Sequence, residues 1–288
     1  MVAAGLPARR NSREVSVIDY ALGVGVNLTP EYYGQIAIDR SVPYDFLEID
    51  PHDFNLTEPV RRTFSEIARR YPVVLHSTTL SLCGDAPLDA GQLGVVGEFA
   101  RLVGSQVYSD HLCFTRAGNL NLDLYMTPAF TDEMLHWVRA RVETVIAATG
   151  VPFVLENVGM IVGQPGSGYT ETEFLRQVAA TSGAGLQLNL DSVAVSAAAV
   201  GRSPLDYLQQ FPLDLVETVA VVPKASMNPA LRAEYGQDID KSVLEMFDAV
   251  MAGSPVERVM VQRRPGDSSA GFDGFYLAVR DIYDKHRG

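Results

Sequence analysis

Imidazoles and carboxylates recur in this chain at the ends of short apolar runs, and that placement gives them chemical meaning. His76 closes Val73-Val-Leu-His, Asp110 with His111 closes Tyr108-Ser-Asp-His, and Glu156 with Asn157 closes Val151-Pro-Phe-Val-Leu-Glu-Asn. Glu48, Asp50 and His52 follow Tyr44-Asp-Phe-Leu, and Asn27 ends Gly23-Val-Gly-Val. Asn189 and Asp191 follow Gly185-Leu-Gln-Leu, while Lys224 and Gln262 end two later runs. Imidazole nitrogen mixed with carboxylate oxygen suits hard or borderline divalent ions, and the same groups can move protons. Taken singly, a carboxylate or His at such a position is more often a satisfied polar group than a ligand. Repetition along the chain shifts that balance, provided that the groups converge.

Convergence demands an architecture. The apolar runs, near 19–27, 44–50, 72–76, 105–111, 151–157, 185–191, 215–222 and 258–262, read as strands buried on both faces. Helical signals lie between them. Thr57-Glu-Pro precedes Val60, Phe64 and Ile67 at helical spacing, and further helices are expected at 89–102, 131–149, 171–181 and 239–251. Eight strand–helix units without a composition break predict an α/β fold: one TIM (β/α)8 barrel of xylose-isomerase-like type over 18–288, after a flexible polar arm at 1–17. In such a barrel the C-terminal strand ends share one mouth. An open doubly wound sheet is the rival, but no Gly-x-Gly-x-x-Gly turn follows the first strand. The long segment 113–130 reads as a functional loop or lid, and Gly-rich 163–168 lacks the Lys-Ser/Thr of a P-loop.

Composition removes other classes. A net charge of -12 and a pI near 4.8 repel phosphate, so nucleic acid is not the expected partner. No segment approaches the roughly 20 apolar residues of a membrane span, and the polar N-terminus lacks the apolar core of a secretory signal. Cys83 and Cys113 make no disulfide framework and fit a reducing cytoplasm, the expected location. Trp137 reads as core packing. Arg263, after the eighth strand, stands where barrels often bind phosphate, with a solvated turn as the equal alternative.

Five motifs in order then carry a resemblance. Leu75-His-Ser-Thr-Thr-Leu-Ser-Leu82, Pro87-Leu-Asp89, Ser109-Asp-His-Leu112, Leu155-Glu-Asn157 and Ser203-Pro-Leu-Asp-Tyr-Leu208 resemble the DUF692 family, over about residues 22–262. The resemblance implies a TIM barrel with a multinuclear non-heme iron site at the strand ends, as in the methanobactin-type oxidase. It implies oxygen-dependent modification of a peptide in natural-product (RiPP) biosynthesis, often with a small partner protein that delivers the peptide.

The departures from the family pattern matter equally. A family His is Asp50 here, and the fourth-strand Glu is Asp110. The sixth-strand acid moves to Asp191, which strand alternation would still turn inward. Ala220 stands near one family His, Lys224 near another, and Gln262 replaces a Glu. An ammonium repels a cation, and neutral amides bind iron less well than carboxylates do. A reduced site is therefore expected, with Asp50, His76, Asp110, Glu156 and Asp191 as candidate ligands for one or two irons.

Three readings compete. In the first, that metal site performs oxidative chemistry, with His111 as an outer partner or proton donor. In the second the metal is absent and Lys224 with Glu156 runs lyase, isomerase or cyclase chemistry on a small molecule. In the third the chain is a degenerate member that only binds a peptide or partner. Asn27, Asn157, Asn189, Gln262 and Arg263 are the candidate substrate contacts.

Overall fold

The computed structural model describes residues 22–33, 44–118, 120–160, 165–223, 239–263 and 269–288. The expected arm at 1–17 and Lys224 lie outside the described residues.

Eight short strands pair in parallel and close on themselves: β1 (Gly23–Asn27), β2 (Leu47–Ile49), β3 (Val73–His76), β4 (Tyr108–His111), β7 (Phe153–Glu156), β8 (Gly185–Asn189), β9 (Val216–Val221) and β10 (Arg258–Val261). β10 pairs β1, so the barrel has no free edge. The strands β5 (Phe114–Ala117) and β6 (Leu120–Met126) form a separate antiparallel hairpin after β4. It occupies the segment expected as a long loop, where Leu120-Asn-Leu-Asp-Leu-Tyr-Met alternates with the two-residue period of a strand. The helices are α1 (Glu58–Ala68), α2 (Ala90–Val103), α3 (Asp132–Thr149), α4 (Glu171–Ser182), α5 (Leu190–Ala199), α6 (Pro204–Leu208), α7 (Ile239–Gly253) and α8 (Ser269–Arg287). None among the described residues is long and apolar enough to cross a membrane.

Strand alternation sorts the side chains into two cores. Val24, Val26, Leu47, Ile49, Leu75, Tyr108, Phe153 and Leu155 join the large cluster packed with the helices. The opposite parity gives a small inner plug of Phe46, Val74, Val107, Val154, Ala220 and Met260. Gly25 makes room for it, because a Cβ there would lie 2.6 Å from the Phe46 ring. The plug fills the barrel, and the next inward residues along each strand stand above it at the mouth.

Local chemistry fixes the helix ends. Asp89 accepts from the Gly91 and Gln92 amides, Thr131 accepts from Met134, and Thr170 with Glu173 forms a capping box. Gly104, Gly150 and Gly183 end α2, α3 and α4 at φ of 68°, 73° and 76°, where a side chain would be strained. One junction differs from the expected strand 185–191. β8 stops at Asn189, whose side chain caps α5 by accepting from Ser192 N, so Asp191 belongs to a helix. Trp137 also differs from its expected core role: it is 43% exposed, and its indole donates to the Gly84 carbonyl at 3.1 Å. Cys83 and Cys113 are buried free thiols, and burial pushes both well up from the usual thiol range.

Candidate metal centre

Register places the chemistry. His76 pairs with Ser109 across β3–β4, His111 with Glu156 across β4–β7, and Glu156 with Gln187 across β7–β8. All five carry the parity of the inner plug, so their side chains project into the mouth. His76, His111 and Glu156 are buried, and a ligand atom of each lies within 4.8 Å of the others. His76 Nδ1 is 3.7 Å from Glu156 Oε2, and His111 Nε2 is 3.6 Å from Oε1. Ligands bound at roughly 2.0–2.2 Å to one ion stand about 3–3.5 Å apart, so small side-chain adjustments suffice to close a shell.

Each group is prepared for that role. Gln187 Nε2 donates to Glu156 Oε2 at 2.6 Å and Asn189 Nδ2 to Oε1 at 2.8 Å, which fixes the carboxylate plane without neutralising it. Ser109 Oγ lies 2.9 Å from His76 Nδ1 and also reaches the Leu75 carbonyl at 3.4 Å. That contact steadies the His76 ring, and the tautomer sets which ring nitrogen keeps a lone pair for a cation. Burial, with His111 beside it, holds His76 well below the usual imidazole range, so the ring is neutral at pH 7. His111 Nδ1 is buried without a hydrogen-bond partner among the described residues. Two further acids crowd the same mouth. Burial raises Glu48 well above its ordinary range, with Glu156 and Asp50 adding to it. Burial also pushes Asp50 up to about 7, although the His52 amide hydrogen-bonds it at 2.9 Å. A divalent cation would relieve this crowding, so the donor set and its charge both fit one.

The other candidates are placed differently. Asp110 has the opposite parity to His111 and faces the helix layer. Its carboxylate accepts from Ser77 Oγ (2.6 Å) and from the backbone amides of Thr79, Leu80 and His111 (3.2, 3.1 and 2.6 Å). Burial pushes it up to about 6 against those donors and against His111. It thus braces the chain after β3 and the backbone of His111. Asp191 accepts from Val222 N at 2.8 Å, and neither it, Asp110 nor Asp50 belongs to the three-residue cluster. The Asn157 side chain clamps the Asn189 backbone, donating to its carbonyl and accepting from its amide. Asn27 clamps the Arg263 backbone, donating to its carbonyl at 2.7 Å and accepting from its amide. The Arg263 guanidinium lies over the Tyr32 ring at 4.0 Å, and Gln262, partly buried, pairs through its backbone amide with Val221. Sequence reasoning assigned Asp110 rather than His111 to the ligands and left out Glu48. Two adjacent strand residues cannot both face inward, and the register with β7, which sets His111 opposite Glu156, decides between them.

A cleft of 390 Å³ opens beside the cluster, lined by Thr78, Thr79, Thr115, Arg116, Asn121 and Tyr125 among others. The Tyr125 ring, from the hairpin, stacks on His111 with centroids 4.7 Å apart and planes 13° apart.

Comparison with known proteins fits this arrangement. The family model described as "RiPP precursor modification enzyme MbnB/TglH/ChrH" matches residues 23–264, from the first strand to just past the last. The chain belongs to this family. The match agrees with the DUF692 resemblance read from the motifs. Among relatives, a UPF0276 protein of Neisseria meningitidis serogroup C is 27% identical over 223 residues, spanning 76% of this chain and 79% of its own length. One from Anaeromyxobacter sp. is 29% identical over 231 residues, spanning 78% and 80%. Solved structures share the fold. Endonuclease IV from Thermus thermophilus superposes with a TM-score of 0.60 at 15% identity, covering 90% of this chain and 99% of that one. D-psicose 3-epimerase from Clostridium cellulolyticum gives 0.59 at 11%, covering 92% and 99%. The expected xylose-isomerase-like TIM barrel is therefore the fold of this chain.

Proposed function

We propose that this family member is a metal-dependent enzyme that oxidatively modifies a peptide, with His76, His111 and Glu156 holding a non-heme iron. The observation that carries the reading is the buried His–His–Glu cluster whose carboxylate is held by two neutral amides. Two imidazoles with one carboxylate form the facial donor set of oxygen-using iron sites, which leaves coordination positions open. Iron bound there would supply oxygen activation. The chain's own residues do the rest. Gln187 and Asn189 orient Glu156, Ser109 steadies the His76 ring, and Asp110 holds the backbone of His111. Asp50, with its carboxyl near 7, can take or release a proton at neutral pH beside the site. Family membership supports a peptide as substrate, and a small delivering partner protein belongs to the same reading. A cytoplasmic location is part of the proposal. The metal-free alternative depends on Lys224, which lies outside the described residues.

The test is elemental analysis of protein purified anaerobically with iron present. About one or two irons per chain are expected for the native protein, and fewer for Glu156→Gln, which removes a ligand charge. Native protein that carries no stoichiometric metal under those conditions would end the reading.

A further inference from the structure

The hairpin β5–β6 raises a separate question, because it reaches the mouth without belonging to the barrel. Its strands pair with each other and with no barrel strand among the described residues. Beyond its own ladder it is held by local contacts such as Thr115 N to Ser81 Oγ at 3.0 Å, a lighter hold than that on a barrel strand paired on both sides. From it Tyr125 extends inward until its ring lies parallel to His111 at 4.7 Å. The same side chain is 42% exposed and lines the cleft with Thr78, Thr79, Thr115 and Arg116. One ring therefore separates the cleft from an imidazole of the cluster. His76 occupies a different side of that imidazole, edge-on at 5.0 Å with planes at 74°. Stacking of this kind is a modest attraction, and with the hydrogen bond between Tyr125 and Thr78 it sets a resting position that an entering group can displace.

The geometry points to Tyr125 as the gate of the site: its ring must swing off His111 before a bulky group in the cleft can reach the ion, so it selects ligands by size. This rests on the metal reading above. Tyr125 is not a ligand, so removing its ring should leave metal stoichiometry unchanged and alter only the rate of entry.

The experiment uses the full chain loaded with Co²⁺, whose visible absorption reports its ligands, and two probes with one metal-binding group but different bulk, acetohydroxamate and benzohydroxamate. Stopped-flow mixing with native protein should show benzohydroxamate associating ~10-fold more slowly than acetohydroxamate, the scale a stacked ring would impose. Tyr125→Ala should abolish that ratio, and Tyr125→Phe, which keeps the ring, should preserve it. Tyr125→Leu serves in place of the alanine variant should that one lose its thermal unfolding transition. A folded, cobalt-loaded Ala or Leu variant with the native ratio would overturn the gate and leave the metal reading intact. Native protein that takes up no cobalt and shows no hydroxamate band would overturn both.

Discussion

The two halves of the barrel mouth contain similar numbers of polar strand-end groups and use them in opposite ways. On β3, β4 and β7 the imidazoles stand 3.6–3.7 Å from the Glu156 oxygens, too far for a hydrogen bond between them. On β1, β8 and β10 the polar groups are closed on the protein itself. Asn27 holds Arg263, Asn157 holds the backbone of Asn189, and Asp191 holds Val222. The amide half contains its own deeply buried acid, Glu171, but Tyr207 donates to it at 2.7 Å and burial pushes it up to about 7, so it is mostly neutral below that pH. A strand-end carboxylate is therefore a ligand candidate only when it faces the mouth and its donors leave lone pairs over, as the two amides on Glu156 do. Asp110, with four donors and the parity of the helix layer, fails on both counts although its residue type suits a ligand.

The sharpest way to break this contrast is to remove the central acid. Glu156→Gln should lower metal affinity by more than ~100-fold, since a first ligand matters more than the outer partners worth 10–100-fold. Metal content after dialysis measures it, and retention of native affinity would move the centre elsewhere. Next in size is the acid of the amide half. The folded pKa of Glu171, about 7, lies above its ordinary 4.5, so the folded chain keeps a proton that the unfolded chain has released. Its stabilising contribution is complete below about 4.5 and is lost as pH rises through 7. Relative to Glu171→Gln, native protein should lose ~3 kcal/mol of unfolding free energy between pH 4.5 and 8. Urea unfolding at several pH values gives the slope, and parallel curves would show that the carboxyl ionises freely. Asp110→Asn leaves amide donors of the 77–80 turn without a full acceptor and should destabilise by about 2 kcal/mol. Its metal affinity should fall only ~10–100-fold, and a loss as deep as that of Glu156→Gln would make Asp110 a ligand. The smallest effect belongs to Asn27→Ala. It should cost about 1 kcal/mol in stability and leave metal binding within ~2-fold, because Asn27 serves the backbone.

Much of the scaffold was legible from residue patterning. The runs ending at His76, His111 and Glu156 are strands within a few residues of their expected limits, since short apolar runs between turn signals and helical segments suit strands covered on both faces. Ser, Thr and Asp before the helices, and Gly after them, mark ends that the caps confirm. The site was less legible for two physical reasons. First, Asp110 and His111 are neighbours of opposite parity, and residue type alone does not say which faces inward; that depends on register with β7. Second, the expectation for Asp191 assumed that the strand continued past Asn189. Asn189 instead turns its side chain back to cap α5, so alternation no longer governs the next residue but one. The hairpin escaped for another reason. Its leucines alternate as a strand should, but they are exposed, with Leu120 at 64% and Leu124 at 55%, and burial was the cue being followed.

That hairpin has an evolutionary corollary. Because its ladder stops at its own two strands, residues can be added, deleted or exchanged there without shifting the pairing of any barrel strand. The cluster of His76, His111 and Glu156 is inherited with the cylinder, while the hairpin beside it is free to drift. Kindred sequences could therefore keep identical inner chemistry and still admit quite different guests, with the difference written in the short stretch between Cys113 and Thr127.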